Sequence, residues 1–206
     1  MLRGFYFVTN ASLSRKGIIS DVKAACCARV CAVQYRDKEI STKLMIEEGL
    51  KLRRICRKAP FIINDRIDIA QAVGADGVHL GQSDMPVNMA RKILGKDMII
   101  GLTVHSLLQA KNAVADGVDY LAVAPVFLTN TKKDAGSPVG LSLITEIRMK
   151  YKIPIVAIGG INIANARDVI KAGANSLCAI SAVVSKNNVK AEISRFLEEI
   201  NIGLAS

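Results

Sequence analysis

The chain has 206 residues, half of them hydrophobic and 22% charged, which suits one α/β domain of barrel size and excludes disorder, collagen and coiled coil. Against 18 Asp and Glu stand 28 Lys and Arg, a net charge of +10 that calls for anionic partners. With five Phe, four Tyr and no Trp, base-stacking nucleic-acid binding is disfavoured and small phosphorylated ligands gain ground.

In chain order, eight short β-branched runs are predicted as strands: 5–8, 32–36, 61–64, 77–80, 98–102, 120–124, 155–158 and 176–180. An amphipathic stretch follows each of them. The joints repeat: Gly74-Ala75-Asp76-Gly77, Gly117-Val118-Asp119-Tyr120 and Gly173-Ala174-Asn175-Ser176 each end a helix on Gly before the next strand. Eight βα units without a linker or composition break predict an α/β fold, a (β/α)8 TIM barrel, as one domain over 1–206. A doubly wound open sheet is the alternative. No run reaches the 18 apolar residues of a membrane span, and the first ten residues lack the apolar region of a secretory signal, so a cytoplasmic protein without a membrane partner is expected.

Barrel chemistry sits at the C-terminal ends of the strands, which directs attention to those positions. After strand two, Gln34, Arg36 and Lys38 share one face by the period of two, with Gln34 deepest, suited to a neutral ring, and the two cations at the rim, suited to an anion. A solvated ladder of surface charges would look the same. Strand three stops on Asn64 and Asp65, and strand four is followed by Asp84. These two acids, from adjacent strand ends, suit one Mg²⁺ shared with substrate phosphates, although each Asp would also serve as a helix N-cap. Past strand five come Thr103 and His105. The loop after strand six carries Thr129, Thr131 and Lys132 and reads as phosphate-binding, or as an ordinary surface loop. Gly159-Gly160 after strand seven and Ile180-Ser181 at the end of strand eight fall where barrels often hold a phosphate; tight packing is the other reading of the glycines.

The two histidines, His79 and His105, lack the spaced partners of a zinc site, and His79 reads as a hydrogen-bonded barrel residue. The five cysteines (Cys26, Cys27, Cys31, Cys56, Cys178) read as buried, reduced thiols. No Walker loop, dinucleotide fingerprint or Gly-x-Ser-x-Gly elbow occurs.

Together, Gln34-Tyr35-Arg36-Asp37-Lys38, Ile63-Asn64-Asp65-Arg66, Gly77-Val78-His79-Leu80-Gly81-Gln82-Ser83-Asp84, Pro125-Val126-Phe127 with Thr129-Asn130-Thr131-Lys132-Lys133, and Ala157-Ile158-Gly159-Gly160-Ile161 resemble the segments of the thiamine phosphate synthase family over essentially the whole chain. The resemblance implies a transferase of thiamine biosynthesis that couples 4-amino-2-methyl-5-pyrimidinylmethyl diphosphate to a thiazole phosphate, releasing pyrophosphate by way of a pyrimidine carbocation. It implies that Gln34 binds the pyrimidine; that Arg36, Lys38, Asn64, Thr103 and Lys132 bind the diphosphate; and that Asp65 and Asp84 hold Mg²⁺. Arg36, Lys38 and Lys132 would act on the leaving group, and Thr129, Thr131, Gly160, Ile180 and Ser181 would surround the thiazole phosphate. Thr103, Leu128 and Ala124 depart from the family's usual Ser, Pro and Gly. The implied partners are these small molecules and a homodimer mate, not nucleic acid. A thiazole tautomerase or a non-catalytic phosphate-binding regulator on the same barrel are the competing functions.

Overall fold

The strands observed are β1 (Gly4–Val8), β2 (Ala32–Tyr35), β3 (Phe61–Asn64), β4 (Gly77–Leu80), β5 (Ile99–Val104), β6 (Tyr120–Val123), β7 (Ile155–Ile158) and β8 (Ser176–Cys178). In this computed structural model, which describes residues 2–129, 131 and 136–205, they pair in parallel in chain order. β8 returns to β1 through Gly4 opposite Ser176, so the sheet is a closed (β/α)8 barrel and not an open doubly wound sheet.

Why each run forms a strand is visible in its two faces. Phe5 and Phe7 of β1 point outward to the helices while Tyr6 and Val8 point inward, and Phe61 and Ile63 flank the inward Ile62 of β3 in the same way. Both faces are buried, hence the near-continuous apolar strands. The larger core lies between strands and helices; a smaller one, including Tyr6, Val8, Ile62, Tyr120 and Val156, fills the barrel.

Around the barrel run α1 (Ile18–Cys27), α2 (Thr42–Ile55), α3 (Ile67–Ala72), α4 (Val87–Leu94), α5 (Leu107–Ala115), α6 (Gly140–Lys150), α7 (Ile163–Lys171), α8 (Ile180–Val184) and α9 (Val189–Ala205). Four strand ends shift by one residue from the expected ranges, and two shift by two residues. β5 extends to Val104, placing Thr103 within the strand, and β8 stops at Cys178, placing Ile180 and Ser181 in the first turn of the five-residue α8. The eighth unit thus holds a short helix and then α9, whose Phe196 packs on Phe5 of β1 with ring centroids 5.3 Å apart. Of the cysteines, Cys56 and Cys178 are buried and Cys26 and Cys31 partly so, but Cys27 is exposed, because it falls on the outer side of α1.

The repeating joints at the N-terminal end of the barrel share one device. Asp76, just before β4, accepts from the Phe61 backbone N–H at 2.8 Å and pairs with Arg53 of α2 at 2.9 Å. Asp119, before β6, accepts from Ile100 N–H at 2.7 Å and pairs with Arg91 of α4 at 2.7 Å. Asn175, before β8, accepts from Ile155 N–H at 2.9 Å and also from Arg148 of α6. Each side chain satisfies an N–H at the start of the preceding strand, on its first or second residue, and ties it to a helix. The glycine two residues earlier takes a positive φ in all three joints: 62° at Gly74, 82° at Gly117 and 112° at Gly173. Before β2 the series changes: Arg29 adopts φ 59° and Cys31 stands where the acid would be.

Candidate active site

At the opposite end, the strand termini surround a cavity of about 480 Å³. It is lined by Gln34, Arg36, Lys38, Asn64, Asp65, Asp84 and Thr103 on one side, and by Thr129, Thr131, Gly160, Ile180 and Ser181 on the other. Every described residue that the sequence singled out for binding or metal therefore borders one space. Lys132 lies outside the described residues.

β2 delivers its polar file as the period of two requires. Gln34 is 5% exposed, deep in the barrel, and Lys38 is at the rim. Tyr35, between them in sequence, turns outward to donate to Glu48 of α2 at 2.7 Å. The buried Thr9 hydroxyl fixes the Arg36 backbone from both sides, accepting its N–H at 2.9 Å and donating to its carbonyl at 3.2 Å.

The paired acids sit on the next two strand ends, and neither caps a helix. Asp65 turns the chain out of β3 at φ 62°, its N–H donating to the His79 carbonyl at 2.8 Å and its carboxylate pairing with Lys38 at 3.1 Å. Asp84 bends back so that Oδ2 accepts from Gly81 N–H at 2.7 Å, while the N-cap of α4 is Pro86. Burial, and then the neighbouring Asp65, push the Asp84 carboxyl above its ordinary range. Two hard oxygen donors that crowd each other suit a divalent cation that completes its shell with water and phosphate oxygens. Among the described residues no group of three or more His, Cys, Asp or Glu gathers for a fuller protein cage.

Across the mouth the glycines serve packing first. A Cβ on Gly160 would lie 2.5 Å from the Leu128 carbonyl oxygen, and one on Gly159 would lie 2.6 Å from Pro125 Cβ. At φ 64° and 102° these residues dock the β7 end against the loop after β6. Thr131 of that loop donates to the Ser181 hydroxyl at 3.2 Å, joining it to α8. His105 is held against the Ala124 carbonyl through Nδ1.

Gln34 lies deepest and His79 is a hydrogen-bonded barrel residue, as the sequence indicates, but sequence reasoning missed the two tyrosines that join them across the floor of the cavity. Gln34 Nε2 donates to Tyr6 Oη at 3.0 Å; Tyr6 Oη lies 2.8 Å from Tyr120 Oη; Tyr120 Oη lies 2.8 Å from His79 Nδ1; and His79 Nε2 lies 2.8 Å from Thr103 Oγ1. One row of hydrogen bonds crosses the barrel through β2, β1, β6, β4 and β5. Burial lowers His79 to about 4, so the imidazole is neutral, and it raises both tyrosines well above their usual value, so they stay protonated. Gly101 on β5 makes room, since a Cβ there would overlap the Tyr120 ring. A Tyr on the inward face of a barrel strand is itself the signal, because its hydroxyl must find a partner there.

The sequence and the fold are shared with known proteins. The family model for thiamine monophosphate synthase matches residues 5–183. The chain is 52% identical over 197 residues to a thiamine-phosphate synthase of Methanosarcina barkeri, covering 95% of this chain and 90% of the relative. To a thiamine-phosphate synthase of Chloroflexus aurantiacus it is 51% identical over 189 residues, with 90% and 87% covered. The solved thiamine phosphate pyrophosphorylase of Pyrococcus furiosus superposes with a TM-score of 0.90 at 38% identity, covering 98% of this chain and 96% of the other.

Proposed function

The chain belongs to the thiamine monophosphate synthase family, a family of transferases, and on that premise we propose that its cavity joins an aminopyrimidine methyl diphosphate to a thiazole phosphate, yielding thiamine phosphate and pyrophosphate. The convergence of Gln34, the Arg36–Lys38 file, the Asp65–Asp84 pair and the β7–β8 loops on one cavity carries this reading. Gln34 holds the pyrimidine on the cavity floor. Arg36, Lys38, Asn64 and Thr103, with Lys132, bind the diphosphate. Thr129, Thr131, Gly160, Ile180 and Ser181 enclose the thiazole phosphate, in the quarter where barrels commonly bind phosphate.

When the C–O bond to the diphosphate breaks, negative charge grows on the leaving group and positive charge on the pyrimidine methylene. The thiazole nitrogen then captures that carbon. Such a step needs fixed cations aimed at the leaving oxygens more than it needs a strong base. Arg36, with its backbone clamped by Thr9, is positioned before substrate arrives. Lys38 is held by Asp65 until it meets the diphosphate. Asp65 and Asp84 would hold Mg²⁺, which supplies charge neutralisation to the diphosphate oxygens. A thiazole tautomerase would give no reason for Arg36, Lys38 and the paired acids to share the mouth, and a regulator would not need them together.

Among the described residues no helix is long and apolar enough to cross a membrane. Incubating the protein with both substrates and Mg²⁺ and following thiamine phosphate by mass spectrometry tests the proposal. Product that requires all three components is expected; no product at any Mg²⁺ concentration overturns it.

A further inference from the structure

The row of hydrogen bonds under the cavity has a direction. Gln34 presents two N–H donors and one carbonyl acceptor, each Tyr has one proton, and a neutral imidazole donates from one nitrogen and accepts at the other. With Gln34 Nε2 donating to Tyr6, three arrangements complete the row, and the third, in which Tyr6 and His79 both donate to Tyr120, leaves the proton of the buried Tyr120 without an acceptor. In the first, Tyr6 donates to Tyr120, Tyr120 to His79 Nδ1, and His79 Nε2–H to Thr103. Every proton between Gln34 and Thr103 then has an acceptor.

In the second, Tyr120 donates to Tyr6, which already accepts from Gln34, and the Tyr6 proton is left without a place in the row. Tyr6 is 2% exposed, so that proton would be stranded in the barrel core. The first arrangement wins on this count. Its two ends differ in kind: Gln34 offers its carbonyl Oε1 to the cavity, and Thr103, having accepted from His79, has its own hydroxyl proton to give.

We infer that Tyr6, Tyr120 and His79 are positioning residues that fix Gln34 as an acceptor and Thr103 as a donor toward the cavity. The inference rests on the reaction proposed above, since an acceptor at Gln34 matches the exocyclic amino group of an aminopyrimidine and a donor at Thr103 matches a diphosphate oxygen. The two ends are coupled: turning the Gln34 amide over would reverse every bond and make Thr103 an acceptor facing an anion. The row therefore selects amino over oxo pyrimidines at one end and is supported by the anion at the other. A Ser at position 103 would serve as well; the hydroxyl is what matters, and the Thr methyl leaves it on His79.

The test compares the 4-amino pyrimidine diphosphate with its 4-oxo analogue, in which an acceptor replaces the donor. Because intrinsic reactivity cancels between proteins, the ratio of kcat/KM values for the two isolates recognition. Tyr120→Phe keeps the ring and cuts the row, freeing the Gln34 amide to turn; the amino-over-oxo preference should fall by about tenfold or more. Tyr6→Phe should do the same. An unchanged ratio, with both substrates slowed together, would reduce the row to a structural role and overturn the inference.

A second readout needs neither substrate nor any substitution within the row. In ¹⁵N-histidine-labelled protein, with the two imidazoles distinguished by a His105→Gln sample, His79 should carry its proton on Nε2. A proton on Nδ1 reverses the row and overturns the inference even if the variants fail to fold. If the unmodified protein turns over neither pyrimidine, the proposed reaction falls, while the tautomer still decides the direction of the row.

Discussion

The two ends of the barrel are built by opposite rules. At the N-terminal end, three joints repeat one solution, a carboxylate or amide that accepts from a strand N–H and from an Arg on a neighbouring helix. At the C-terminal end no two strand termini are alike, and charged groups are set against one another, as Asp65 and Asp84 are. Repetition marks the end where each polar group has a partner within the fold; variety marks the end where the partner is to come from outside. Stability and chemistry are thereby assigned to different ends of the same strands.

The largest effect should come from the mouth. Asp84→Asn removes one charge, yet its amide oxygen can still accept from Gly81 N–H. Turnover should fall about 100-fold, about 2.7 kcal/mol of transition-state stabilisation. With Mg²⁺ withheld, the urea midpoint should hold or rise, because a partly buried carboxylate crowded by Asp65 is a cost to the fold at neutral pH. A loss of stability with turnover intact would show that Asp84 belongs with the structural end.

At the other end the pattern should invert. Asp76→Ala strands the Phe61 N–H and frees Arg53, which should cost about 2 kcal/mol in urea unfolding and leave kcat within about twofold. A hundredfold loss of kcat in a well-folded Asp76→Ala protein would break the division between the ends.

The smallest effect sharpens the comparison where the repeat is imperfect. Arg29 stands in the place of the joint glycines with φ 59°, so Arg29→Gly should stabilise the protein by about 1 kcal/mol without altering turnover. A destabilised Arg29→Gly would mean that the side chain does something the repeat does not account for.

How much of this was legible follows from where polarity interrupts an apolar run. Gln34, Arg36 and Lys38 break the β2 pattern, and Asn64 with Asp65 ends β3 abruptly, so the mouth could be read off the strand ends. The eight β-branched runs, three of them entered through a glycine joint, set the unit count, and with it the barrel. Tyr6 and Tyr120 escaped because each sits inside an apolar strand, and their contact joins residues 114 apart in sequence, which only closure of the barrel brings about. Ile180 reads as the end of a strand, with Ser181 beside it, because the apolar run Leu177-Cys178-Ala179-Ile180 is unbroken; the chain instead turns into α8 after Cys178. Thr103 reads as lying past β5, whereas the β5–β6 pairing carries the strand on to Val104.

The pairing of Gly4 with Ser176 bears on synthesis as well as on architecture. The first strand of the barrel to be synthesised bonds to one made roughly 170 residues later, a wait of roughly 10–35 s at ordinary elongation rates. Through that interval β1 offers its neighbours on one side a row of unpaired backbone groups flanked by Phe5 and Phe7, a template for mispairing with other nascent chains. Relief comes only when β8 docks and α9 brings Phe196 down over Phe5. Truncation within α9 should therefore be felt first as poor yield of soluble product, before any defect in the chemistry at the far end of the barrel.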